Sequence, residues 1–226
     1  MRFYWPQRKF SCRLVSFVAG PWDSVVSVVN QHKIKKKSLL GTVPLLRKEW
    51  RVSFEFKATS YGGGLRQILH LTIGGKGHGS SAKYGDRIPA IWTHPTRGFF
   101  ISSAVNDQIS YNKWFKGLLP TKGKWVSIEI GQELELSKMV YYIMIGGKRL
   151  HSVTNSKPLE FENVKVYSAS PWYSAVGGHI RNLVVKNKHG KFEIDLLFVQ
   201  NSNNIPQVLI ACMIGHQHSL IPANTY

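Results

Sequence analysis

The sequence is short of acid, short of cysteine and free of long apolar runs. Only 12 of its 226 residues are Asp or Glu, against 30 Lys or Arg, so the net charge is +18. The two cysteines, Cys12 and Cys212, sit one near each end; they could pair, but two cysteines are no disulfide framework, and the lack of a CxxC or Cys/His cluster argues against structural zinc. No window reaches the ~18 apolar residues that a membrane-spanning helix needs. No Asn-x-Ser/Thr acceptor occurs, so glycosylation gives no clue to compartment. Between Lys48 and Lys186 no stretch of ten residues carries a helical apolar stripe, which speaks against an α or α/β domain.

The charge is uneven. Residues 1–47 carry nine basic residues and one acid (+8), residues 48–186 nineteen and nine (+10), and residues 187–226 two and two. The densest run, "HKIKKK" from His32 to Lys37, is expected to be a solvated, flexible segment ahead of the folded region. Its sharper reading is a polyanion-binding patch built on Lys33, Lys35, Lys36 and Lys37. The first twenty residues are basic and then only briefly apolar, a poor match to a signal peptide.

What the sequence does have is alternation. In "EWRVSFEFKA", Trp50, Val52, Phe54 and Phe56 alternate with Arg51, Ser53, Glu55 and Lys57, the pattern of a half-buried strand. "QILHLTI", "PAIWTH", "RGFFISSAV", "KWVSIEIGQEL", "NVKVYSA" and "HIRNLVVK" follow, with turn residues between them. "MVYYIMIGGKRLHSV" reads as a hairpin, the Gly146-Gly147 pair supplying the positive φ of a two-residue turn. Short strands recurring with turn signals predict an all-β antiparallel sandwich or jelly roll. The alternation places this domain at residues 45–187. Residues 1–44 form a basic N-terminal segment and residues 188–226 a C-terminal tail, both irregular and unassigned, although "FEIDLLFVQ" and "QVLIACMI" in the latter could add a strand or a helix. Phe54, Leu71, Ile128, Ile143 and Val184 are expected in the core, together with Trp50, Trp92 and Trp125.

The series of strands, with Trp125 before the mid-domain apolar run, the Gly146-Gly147 hairpin and the closing "GHIRNL" of Gly178–Leu183, resembles the concanavalin A-like lectin/glucanase superfamily in its laminin-G-like and pentraxin-like form. The resemblance covers about two thirds of the chain and implies two curved antiparallel sheets, with roles in binding glycans or proteins outside the cell.

Chemistry is sparse. Glucanases of that superfamily carry an E-x-D-x-x-E strand, and here the nearest candidate is Glu129, Glu133 and Glu135 of "EIGQELE". The spacing differs, and Gly131 is expected to end the strand and leave the acids at a turn. No catalytic residue is therefore assigned. The resemblance also suggests calcium; Asp86 and Asp107 are the candidate ligands, but Lys83 and Arg87 beside the first oppose a cation, so no cofactor is expected. The histidines, His70, His78, His94, His151 and His179 among them, show no metal-ligand spacing. Trp114 in "YNKWF", and Trp172 with Tyr173 in "SPWYS", lie where a core should not need large rings, and with Arg97 they are the candidate ligand-binding residues. The expectation is a non-enzymatic, secreted or extracellular recognition module for glycans or extracellular proteins. A glycan hydrolase or lyase on the same fold is the alternative, or a polyanion-binding matrix protein that takes sulfated chains. Nucleic acid is disfavoured as a partner.

Overall fold

The computed structural model describes residues 14–18, 22–74, 83–188, 192–200, 206–214 and 217–220. Among them there is no helix. The strands, in chain order, are β1 Leu14–Val18, β2 Trp22–Val28, β3 His32–Lys33, β4 Leu39–Leu46, β5 Trp50–Ser60, β6 Arg66–Thr72, β7 Ala90–His94, β8 Gly98–Val105 and β9 Gln108–Phe115. They continue with β10 Trp125–Glu135, β11 Lys138–Ile145, β12 Lys148–Thr154, β13 Phe161–Tyr167, β14 Gly177–Lys188, β15 Phe192–Gln200, β16 Pro206–Ile214 and β17 Gln217–Leu220.

The chain divides into two compact units, residues 22–188 and residues 1–21 with 189–226. In the second, β1, β15, β16 and β17 make a four-stranded antiparallel sheet, so both apolar runs that the sequence left open as strand or helix are strands. The pairing of Cys12 with Cys212 lies outside the described residues.

The first unit is an antiparallel sandwich. One sheet has seven strands, ordered β12-β11-β10-β5-β14-β2 with β3 also paired to β14; the other has six, ordered β4-β13-β6-β7-β8-β9. Alternation drives the packing. On β5, Val52, Phe54, Phe56 and Ala58 are buried in the core while Arg51, Ser53, Glu55 and Lys57 stay half-exposed on the outer side. From the facing sheet come Leu69, Leu71, Ile91, Phe99 and Ile101, and Phe56 meets Phe99 edge to face with centroids 6.2 Å apart. Phe54, Leu71, Ile128 and Ile143 are buried as expected.

Several expectations need correction. The sandwich unit starts at Trp22, because β2, β3 and β4 belong to its sheets. The basic run is therefore no flexible segment: His32 and Lys33 pair with Ile180 and His179, Ile34 is buried in the core, and Lys36 bridges to Ala169. Val184 is only half-buried. A bulge at Arg181–Asn182, where Asn182 has φ 51°, shifts the phase of β14, so Ile180 faces inward before it and Leu183 and Val185 after it. Trp125 lies half-buried on the outer face of the seven-stranded sheet, and Trp92, although buried, faces away from the core cluster.

Gly131 does not end a strand either. It sits inside β10, opposite Tyr142 and Arg51. A Cβ there would lie 2.7 Å from the Tyr142 hydroxyl and 3.0 Å from the Trp50 carbonyl oxygen, so a side chain would have to displace the tyrosine that crosses the glycine. The hairpin at Gly146-Gly147 is as read from the sequence: both glycines have positive φ, 61° and 77°, between Ile145 and Lys148, which pair.

Candidate binding site

The site is built by register. Cross-strand partners in a sheet share a face. Gln67 on β6 pairs with Trp92 on β7, Trp92 with Phe100 on β8, and Phe100 with Trp114 on β9, so these four side chains form one row across the outer face of the six-stranded sheet. The rings touch in sequence. Phe100 and Trp114 have centroids 4.6 Å apart, Trp92 and Phe100 5.3 Å, and Trp92 and Tyr173 5.2 Å. Trp172 joins through His70, at 5.7 Å. The result is a continuous aromatic band, buried at the Trp92 end and open at Trp114, which is 38% exposed.

Local sequence sets the open end. Residues Thr96-Arg97-Gly98 turn the chain from β7 to β8. Gly98 has φ 85°, and a Cβ there would come within 1.8 Å of the Phe115 carbonyl oxygen, so only glycine lets the turn close against β9. The turn carries Arg97 to 5.6 Å from the Trp114 ring centre. Arg97, Trp114 and Lys116 line an open depression of about 310 Å³. His94, at the end of β7, meets Trp114 edge to face.

The closed end rests on a buried relay. The Ser170 backbone N–H donates to Gln67 Oε1 (2.7 Å), the Gln67 amide lies 3.2 Å from His70 Nδ1, and His70 Nε2 lies 2.6 Å from the Asp86 carbonyl oxygen. A carbonyl can only accept, so Nε2 carries the proton and Nδ1 accepts from Gln67. Burial, with help from the nearby Arg87 charge, lowers the His70 pKa to about 4 and keeps the ring neutral. Gln67 also pairs through its backbone with Ser174 and Val176. This clip holds the loop bearing Trp172 and Tyr173 over the sheet. Arg87 ties it from the side, donating to the Tyr173 hydroxyl (3.1 Å) and to Ser110 Oγ (2.8 Å).

The sequence-predicted residues thus fall in two linked groups. Trp114 and Arg97 form the open end, with Trp114 on a strand rather than in a loop. Trp172 and Tyr173 are half-buried and cover the closed end. Phe100, Trp92, His70 and Gln67 join the groups: Trp92 is expected in the core and His70 as a histidine without metal-ligand spacing, while strand phase marks Phe100 and Trp92, each opposite in phase to its core-facing neighbour Phe99 or Ile91.

The remaining candidates lie elsewhere or are engaged. Asp86 is fully buried and accepts the Lys83 backbone N–H at 2.6 Å, and Asp107 forms an ion pair with Lys157. Among the described residues no group of three or more His, Cys, Asp or Glu is placed to hold a metal. Glu129 accepts from the Tyr142 hydroxyl (2.9 Å), Glu133 lies between Arg51 (3.8 Å) and Arg149 (3.6 Å), and Glu135 pairs with Arg149 (2.7 Å). His78 lies outside the described residues.

No family model matches the chain, and no curated protein does. Solved structures of similar strand arrangement include the CBM40 domain of the Ruminococcus gnavus IT-sialidase bound to alpha2,3 sialyllactose, 13% identical, with 70% of this chain and 91% of that one covered and a TM-score of 0.46. A heptameric SAP-like pentraxin from Limulus polyphemus is 13% identical over 71% of this chain and 74% of that one, with a TM-score of 0.44. The receptor-binding domain of botulinum neurotoxin type G is 12% identical over 78% and 44%, with a TM-score of 0.45. Likeness at this level assigns no ligand to this chain.

Proposed function

We propose that this protein is a non-enzymatic recognition module that binds glycans on the outer face of its six-stranded sheet. The apolar face of a sugar ring stacks on Trp114 beside Phe100, while Arg97 and Lys116 donate hydrogen bonds to its oxygens. The observation that carries the reading is the open end of the aromatic band: a large ring left 38% exposed, backed by a second ring and flanked by an arginine on a turn fixed by glycine. A flat, rigid platform of this kind loses little conformational entropy when a ligand settles on it. Support for the non-enzymatic half comes from the carboxylates of β10, all of which are tied to Tyr142, Arg51 or Arg149. The reading places the module outside the cell, where polymeric glycans are displayed.

A protein ligand is the second reading, favoured by the same pairing: tryptophan and arginine together are the usual composition of an interface hot spot. A glycan array probed with the wild-type chain and with Trp114→Ala decides between them. On the glycan reading, wild type binds a defined set of sugars and the variant loses roughly tenfold or more in affinity for them. An equal signal from a variant with unchanged circular dichroism would sink the site.

A further inference from the structure

We propose that the outer face of the seven-stranded sheet carries a second, separate site: a row of Lys33, His179 and Lys57 that binds a sulfated polysaccharide. The row is fixed by backbone register. Lys33 on β3 lies directly opposite His179 on β14, and His179 directly opposite Lys57 on β5. Neighbouring strands are about 4.8 Å apart, so the two lysines bracket the histidine over about 10 Å. Lys33 and Lys57 are charged at neutral pH, and once His179 is protonated all three positions of the row are like charges set opposite one another, which destabilises a sheet. The nearby carboxylate does not relieve them: Glu55, two residues along β5 on the same face, is held by Arg181 at 2.5 Å and Asn182 at 3.0 Å. An anion lying along the row would offset that repulsion.

Cations extend the row at both ends. Beyond β3 the chain turns through Lys35, Lys36 and Lys37, all exposed. Past Lys57, the turn holding Lys122 and Lys124 is pinned to β5 by the Gly123 N–H, which donates to the Ala58 carbonyl oxygen at 2.8 Å. A stripe of this length suits a polymer better than a single phosphate group. Nucleic acid is the less favoured polymer because the ring at the end of the row is already covered. Trp125, opposite Lys57, has the Lys57 ammonium 4.6 Å and the Arg181 guanidinium 4.3 Å from its centre, so the ring is already engaged by two cations with which a stacking base would compete. A sulfated sugar chain binds such cations without stacking.

His179 gives the row a pH dependence. Its Nδ1 is buried without a hydrogen-bond partner among the described residues. Burial, then Lys57 and Lys33, hold its pKa below the ordinary histidine range, and burial, then Lys35 and His179 itself, do the same to His32. Gln31, which accepts from Lys57, and the Arg181–Glu55 pair complete the surroundings. Both rings are neutral near pH 7 and gain charge on acidification, so anion binding tightens as pH falls.

The test uses the full chain and labelled heparin fragments, followed by fluorescence anisotropy at low and physiological salt. The double variant Lys33→Ala/Lys57→Ala is expected to weaken binding roughly fivefold or more, while Lys57→Arg retains it. As pH falls below the ordinary histidine value of 6.5, wild type gains affinity and His179→Gln loses part of that gain. The same double variant keeps the wild-type signal for neutral sugars on the glycan array, which keeps this site distinct from the glycan platform. An unchanged affinity in a double variant that still melts cooperatively overturns the proposal. So does a matching loss of neutral-sugar binding in the double variant, or tighter binding of a single-stranded oligonucleotide of matched charge. If the double variant does not fold, Lys33→Glu at its exposed position is read instead, with a loss expected and unchanged affinity counting against the row.

Discussion

The two outer faces of the sandwich are built by the same alternation and finished in opposite ways. On β7, β8 and β9 of the six-stranded sheet the outward residues are rings and small groups, and the outermost ring, Trp114, has its arginine at 5.6 Å, near the limit of a cation–π contact. On the seven-stranded sheet the outward rings are capped closely: Arg51 lies 3.9 Å from the centre of Trp22, and Trp125 carries both Lys57 and Arg181. The first face offers an aromatic surface, the second a charged one. Tryptophan content alone does not distinguish a binding platform from a covered ring; what sits over the ring does.

The comparison can be broken from beneath. Phe54 lies in the interior shared by both sheets, 2% exposed, and Phe54→Ala is expected to cost about 3–5 kcal/mol through the cavity it leaves. Urea unfolding measures this, and a midpoint near wild type would mean that the two faces do not share one core.

A second test sharpens it, because the faces should respond differently to acid. The folded-state pKa of His70 is lowered to about 4, below its ordinary value of 6.5. Its contribution to stability is therefore full above about pH 6.5, declines as pH falls, and is lost by about pH 4. At one pKa unit per 1.36 kcal/mol the loss is about 3 kcal/mol. His70→Gln should flatten the fall in melting temperature over that window, whereas Arg149→Ala on the charged face should not. An equally steep acid limb in the variant would remove His70 as its cause.

The smallest effect is expected on the charged face itself. Arg149 serves Glu133 and Glu135 but is exposed, and the pairs are open to solvent, so Arg149→Ala should cost about 0.5–1 kcal/mol and less in high salt. A loss several times larger would show that this network holds the sheet as the buried relay of Gln67 and His70 holds the other face.

By itself the sequence determined the sandwich. The period-two pattern of β5, β8 and β10, with glycine turns at Gly98 and Gly146-Gly147, dictates which residues face inward, because a strand has only two sides. It also flagged Trp114, Arg97, Trp172 and Tyr173. Tertiary structure alone decided how they group. Trp92 and Phe100 join them because β6, β7, β8 and β9 pair in order and set Gln67, Trp92, Phe100 and Trp114 opposite one another. Gly131 looked like a strand end until Tyr142 was seen to cross it. The bulge at Arg181–Asn182 reversed the facing of Val184, an extra residue that alternation cannot count. The run from His32 to Lys37 reads as a solvated tail by composition, yet burial of Ile34 and pairing with β14 bind it to the sandwich, and that pairing sets Lys33 against His179 and Lys57. Strand phase is a local property of the chain; what brings β14 between β3 and β5 is contact between residues as far apart as His179 and Lys33.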